Sequence, residues 1–142
     1  MSPTWSSLTV GDQLPERQFP IQRADLIKYA GASLDFNLIH WNERVALEVG
    51  LPNVVAHGML TMAKAVQVVT EWTGDPGCII EYGCRFTRPV VVPDNSAGAL
   101  LFVTGSVTAL NDDGTVQVTL TATCDGATVL GKAQVLVRLP RQ

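Results

Sequence analysis

His40 and His57 are the chain's only histidines, and Asp35 lies five residues before the first of them. A carboxylate and an imidazole at that spacing can share a proton near neutral pH and serve as general acid and base. If their loop packs on an apolar helix, burial raises the carboxylate's pKa and a nearby imidazole lowers it. The plainer alternative is that Asp35 caps a turn and His40 is a half-buried histidine with its hydrogen bonds met. For an arbitrary Asp and His five apart, that is the commoner outcome.

Gly58 follows His57 at the start of the most apolar run in the chain. An N–H at the first helical position has no intrahelical partner and sits at the positive end of the helix dipole. With no side chain in the way, a substrate carbonyl can approach it and develop enolate character. Alternatively Gly58 only permits close packing, and His57, without a visible partner, reads as a core or capping histidine. Asn37 either orients the pair or a water, or makes an Asx turn; these weigh evenly. Arg85 and Arg88 can meet a nucleotide or phosphopantetheine phosphate or an acidic carrier, though solvated strand-end charges are more common. Tyr29, Trp5, Trp41 and Trp72 read as packing residues.

The elements that must position these groups follow from periodicity. Arg23–Ala32 has Leu26, Ile27 and Ala30 at helical spacing, and Leu34–His40 follows as a loop. Glu43–Val49 is a second helix, with Asn42 as N-cap, Gly50 at C′ and Pro52 beyond. Gly58–Trp72 is apolar almost all round, which places it inside a domain. From Cys78 the period becomes two. Cys78–Thr87 places Cys78, Ile80, Tyr82, Cys84 and Phe86 on one face; Leu100–Leu110, Val116–Cys124 and Ala127–Leu139 follow as strands. Asn111–Gly114 is a turn and Asp125-Gly126 a two-residue hairpin. Gln18–Gln22 is a short strand that Pro20 confines to an edge, and residues 1–15 lie along the surface. The expected architecture is α+β: one domain over residues 1–142, with an antiparallel sheet wrapped around a central apolar helix.

Composition narrows the class. With 142 residues, 46% hydrophobic and 16% charged, the chain can bury one core, and its charge falls below the usual quarter. So few charges suggest surface covered by another subunit. A net charge of −3 argues against nucleic acid as partner. Three cysteines without CxxC spacing read as reduced thiols, not a disulfide frame or zinc site. Two histidines and scattered acids give no metal-ligand spacing, and no cofactor motif is present. Neither a signal peptide nor a membrane span is visible, so a cytoplasmic protein is expected.

The run Tyr29-Ala30-Gly31-Ala32-Ser33-Leu34-Asp35-Phe36-Asn37-Leu38-Ile39-His40 resembles the hydratase 2 signature of the MaoC-like hot-dog family. Ala56-His57-Gly58-Met59-Leu60 resembles that family's second landmark, the start of the central helix. Val10–Glu16 and Gly74–Gly77 also fit. Within the family the similarity is greatest to the catalytic subunits of mycobacterial (3R)-hydroxyacyl-carrier-protein dehydratases, which serve elongation toward mycolic acids. The resemblance implies a hot-dog fold, a dimer joined sheet edge to sheet edge, and reversible dehydration of a (3R)-3-hydroxyacyl thioester. Asp35 and His40 would be the catalytic pair, Gly58 the donor to the thioester carbonyl, and Asn37 a supporting residue. The partners would be an acyl carrier protein or CoA thioester and an identical or paralogous hot-dog chain. Leu38 stands where Pro is common and Leu34 where Gly is common.

Other readings remain beside this one. An (R)-specific enoyl-CoA hydratase of β-oxidation type is the same chemistry on another carrier. A thioesterase on the same fold fits the Asp/Asn/His motif poorly. A non-catalytic acyl-binding subunit of a heterodimer would be expected to lack the dyad.

Overall fold

The period-two stretches form one antiparallel sheet in this computed structural model, which describes residues 2–142. Its strands are β1 (Gln13–Ile21), β2 (Ile79–Phe86), β3 (Ala99–Leu110), β4 (Thr115–Cys124) and β5 (Ala127–Arg138), in the order β1-β3-β4-β5-β2. Alternation explains the burial of β4, where Val116, Val118, Leu120, Ala122 and Cys124 are all buried while Thr121 is exposed. The β4–β5 hairpin turns on Asp125 and Gly126 at φ 51° and 74°, the left-handed pair that a tight turn of this twist requires. The meander β3–β4–β5 is as expected. β1 starts earlier than the Gln18 expected from sequence, and Pro20 does lie on an edge strand.

β2 departs from its expected face. Ile79 pairs with Val137 and Glu81 with Leu136, so Ile80 is an extra residue bulged out of the ladder. It is 50% exposed, and Ile79 takes the place against the core that alternation assigned to Ile80.

Helix α3 (Gly58–Thr73) lies on the inner face of the sheet, its Leu60, Ala65, Val68 and Val69 in one core cluster with Ile21, Leu101, Val103, Val118 and Val135. The Tyr82 hydroxyl, its phenol pushed upward by burial, donates to the Met62 carbonyl (2.8 Å) and ties β2 to the helix. The helix is not enclosed all round. Met59 is 57% exposed, and Ala63 and Gln67 are exposed with it. One sheet layer covers one side of a helix, and within a single chain the opposite side stays open.

Two shorter helices frame the site. α1 spans Arg23–Ser33 and α2 spans Glu43–Glu48. Asn42 caps α2 as expected, its Oδ1 accepting from the Val45 N–H (3.2 Å). Gly50, at φ 89°, closes the other end while the Leu51 N–H returns to the Ala46 carbonyl (2.9 Å). Among the described residues no helix is long and apolar enough to cross a membrane.

Candidate active site

The loop between α1 and α2 begins under strain. Leu34, the C-cap of α1, adopts φ 62° and ψ 19°, a left-handed conformation unfavourable to a side chain with a Cβ. This gives the physical reason for a glycine at such a position. Leu34→Gly is expected to stabilise the chain by about 0.5–1 kcal/mol: it relieves roughly 1–2 kcal/mol of strain less the glycine entropy cost. The side chain is 75% exposed, so little burial is lost. A urea midpoint that falls on this substitution would refute the strain.

Beyond Leu34 the loop is held by its own side chains. The Asn37 N–H donates to Asp35 Oδ1 (3.2 Å), and Asn37 Oδ1 accepts from the Ile39 N–H (3.3 Å). Asn37 thus caps the 3₁₀ turn Leu38–His40, so of its two readings the Asx turn describes what it touches. Trp41, expected in packing, is 45% exposed and donates its indole N–H to the Phe36 carbonyl (3.1 Å).

His40 is buried, and its Nδ1 lies 2.6 Å from the Val55 carbonyl oxygen. A carbonyl only accepts, so Nδ1 carries the hydrogen and the neutral ring keeps its lone pair at Nε2. That nitrogen faces Asp35 Oδ2 at 4.0 Å. The gap is too wide for a direct hydrogen bond, yet a water oxygen about 2.8 Å from each group would bridge it. Asp35 is not the buried carboxylate expected: its side chain is 51% exposed.

His57 is 1% exposed and packs flat on His40, the ring centroids 3.8 Å apart at 20°. The Tyr29 ring also packs on it, at 4.8 Å. His57 Nε2 lies 3.1 Å from the Asp35 carbonyl oxygen and by the same logic donates to it. Its Nδ1 is buried with no partner among the described residues. Burial pushes the His57 pKa below its ordinary 6.5, only partly offset by the bond to the Asp35 carbonyl. A depressed basic group binds fewer protons folded than unfolded, so its contribution is complete above pH 6.5 and declines as pH falls toward the folded value. Urea titrations are therefore expected to show wild type losing more stability below pH 6.5 than His57→Phe; parallel pH curves would contradict this.

Donor atoms of Asp35, His40 and His57 lie within 4.8 Å of one another, a closeness that their sequence spacing did not reveal. Each ring commits one nitrogen to a backbone carbonyl and leaves the other uncommitted.

Gly58 is the first residue of α3, directly after His57. It shares a cleft of about 300 Å³ with His40, Val55, Thr61, Phe86 and Arg88. A Cβ at residue 58 would stand 3.0 Å from three carbons of the Phe86 ring, so a larger residue there requires that ring to shift. The structure separates the two arginines: Arg88 is a wall of the cleft, while Arg85 is exposed opposite Gly131 on β5. Asp35 and His40 are brought together, and His40 and Gly58 share the cleft, whose lining includes neither Asp35 nor Asn37. Sequence reasoning missed the Val55 carbonyl and the Phe86 ring. The first is a backbone atom fifteen residues from His40, and the second depends on strand pairing; neither leaves a local signal.

Comparison with known proteins agrees with the fold. Residues 8–124 match the family model described as a MaoC-like domain. The chain is 34% identical over 79 residues to the "3-hydroxyacyl-thioester dehydratase X" of Mycobacterium tuberculosis, a match of 56% of this chain and 27% of that protein. It is 33% identical over 88 residues to the "(R)-specific enoyl-CoA hydratase" of Rhodospirillum rubrum, covering 61% and 60%. A solved "MaoC-like dehydratase" superposes with a TM-score of 0.93 at 37% identity, over 97% of this chain and 42% of that one. The R-hydratase PhaJ1 of Pseudomonas aeruginosa superposes at 0.83 with 25% identity, over 98% and 86%. The chain thus spans under two thirds of the curated relatives named here and less than half of the first solved structure. With its signature loop, its central helix and the match over residues 8–124, the chain belongs to the MaoC-like domain family.

Proposed function

We infer that the chain is a hydro-lyase that interconverts (3R)-3-hydroxyacyl and trans-2-enoyl thioesters. One observation carries this reading: His40 Nε2 and Asp35 Oδ2 stand 4.0 Å apart, and His40 shares a cleft with Gly58, the first residue of α3. A water in that gap donates one proton to each acceptor and turns a lone pair outward. In hydration the oxygen bonds to C3 of the enoyl group as the π pair moves onto Cα and the thioester carbonyl. The Gly58 N–H holds the enolate-like oxygen. The dyad takes a proton from the water and returns one to Cα on the same face, ending as it began. Elimination is the reverse. The names of the relatives in M. tuberculosis and R. rubrum support this class.

The substrate reading extends to long acyl chains on a carrier protein, in fatty-acid elongation. Hydration of a CoA-linked enoyl group is the alternative, favoured by the R. rubrum relative. Arg88 at the cleft wall suits the phosphate of either. A dimer, homomeric or with a paralogous chain, accounts for the exposed Ile80 and Phe86 on edge strand β2 and for relatives longer than this chain. Light scattering at the mass of one chain would remove it.

The test is loss of conjugated enoyl-thioester absorbance with trans-2-enoyl-CoA and enoyl-carrier substrates of graded length, with and without candidate paralogues. Release of free thiol without hydration would make the chain a thioesterase. Silence on every substrate would leave a non-catalytic acyl-binding subunit.

A further inference from the structure

The reaction assigned above uses His40, Asp35 and Gly58 and leaves His57 without a part. Yet His57 is the buried residue that adjoins all three, two through its ring and Gly58 through its backbone. Its ring lies flat against His40. Its Nε2–H holds the carbonyl of Asp35 (3.1 Å), so it grips the backbone from which the carboxylate projects. Its own carbonyl accepts the Thr61 N–H (3.1 Å) in the first turn of α3, and its peptide bond supplies the Gly58 N–H. A residue kept only for packing would not need an imidazole here. Nδ1 is buried with no partner, a cost that an apolar ring of similar size would avoid.

We propose that His57 is a positioning residue: a neutral imidazole that sets the separation of the Asp35–His40 pair from the Gly58 N–H. This rests on the hydro-lyase reading. His57 touches neither water nor substrate in that scheme. The stack fixes the plane of His40 and thereby the direction of its Nε2 lone pair. The bond to the Asp35 carbonyl stops the loop from rising further into solvent, where the carboxylate is already half exposed. Tyr29, packed on His57, anchors the assembly to α1.

Two replacements divide the role. His57→Phe retains a ring against His40 and gives up the donor to Asp35. His57→Gln retains a donor near the same place and gives up the ring. Each is expected to lower kcat by about 10–100-fold, the scale of a misplaced catalytic group, while KM changes by less than about threefold. The chain has only two histidines, so imidazole nitrogen NMR resolves both. Wild type is expected to show a neutral His57 with Nε2–H and a bare Nδ1, and His40 in a single Nδ1–H tautomer. Both variants should loosen His40 into a tautomer mixture. Folded variants with kcat within twofold of wild type and an unchanged His40 spectrum would overturn the proposal. If one variant does not fold, the other decides. If neither folds, a wild-type His57 protonated at Nδ1 overturns it and a bare Nδ1 supports it. A wild type inert on every enoyl thioester removes the reaction instead, and the His40 spectrum then judges the positioning role alone.

Discussion

Asp35→Asn and His40→Ala are each expected to cut kcat for enoyl-thioester hydration by about 10²–10⁴-fold, the range of a positioned acid or base. Asparagine can keep the turn, because the Asn37 N–H bonds to Asp35 Oδ1 and an amide oxygen replaces it. What disappears is an anionic acceptor on the far side of the 4.0 Å gap. His40→Ala removes the other acceptor and leaves the Val55 carbonyl and the His57 face unpartnered, so its fold needs checking by near-ultraviolet circular dichroism. Groups that hold one water as a unit are not additive. The double variant should therefore be little worse than the more damaged single one. Two folded variants within tenfold of wild type would end the dyad assignment.

Gly58→Pro tests the other half of the site by deleting one hydrogen. Proline is accepted at the first position of a helix, where no intrahelical bond is lost. His57, at φ −58° and ψ 132°, already has the extended backbone that precedes a proline. The expected loss is about 10²–10³-fold in kcat, the effect of removing one oxyanion donor. The added ring atoms also meet Phe86, so crowding must be separated from the missing N–H. Phe86→Ala in the same chain does this. It should restore most activity to Gly58→Ala, which keeps its N–H, and almost none to Gly58→Pro. Equal rescue of both would make the Gly58 requirement steric.

Much of this was legible before any coordinates, for reasons that differ by element. The strands β4 and β5 declare themselves because one face is wet and the other dry, and Asp125-Gly126 admits few alternatives to a tight hairpin. α2 was bounded by the chemistry of its ends, Asn42 and Gly50, more than by its six residues. β2 could not be read fully, because a bulge at Ile80 obeys the partner strand and not the local alternation. The loop motif located Asp35, Asn37 and His40, and the run after His57 located Gly58. Their relations were not legible. The tautomer of His40 depends on Val55, and the stack on His57 needs two loops to meet in space. The half-exposure of Asp35 was not legible either, since it depends on how the loop sits in space and not on its spacing.

The two margins of the sheet are built differently, and this bears on how far such chains can grow. β1 carries Pro15 and Pro20, which offer no N–H, the charges of Glu16 and Arg17, and a register shift between Leu14 and Arg17. Arg17 is further engaged with Glu71 of α3. β2, at the opposite margin, contains no proline and leaves its outer backbone available. A ribbon with one sealed end and one open end has a single way to extend. In the proposed dimer, two copies joined β2 to β2 about a two-fold axis would each consume the other's last free margin. Such an assembly would terminate at a pair, and a head-to-tail fibre would need β1 as acceptor.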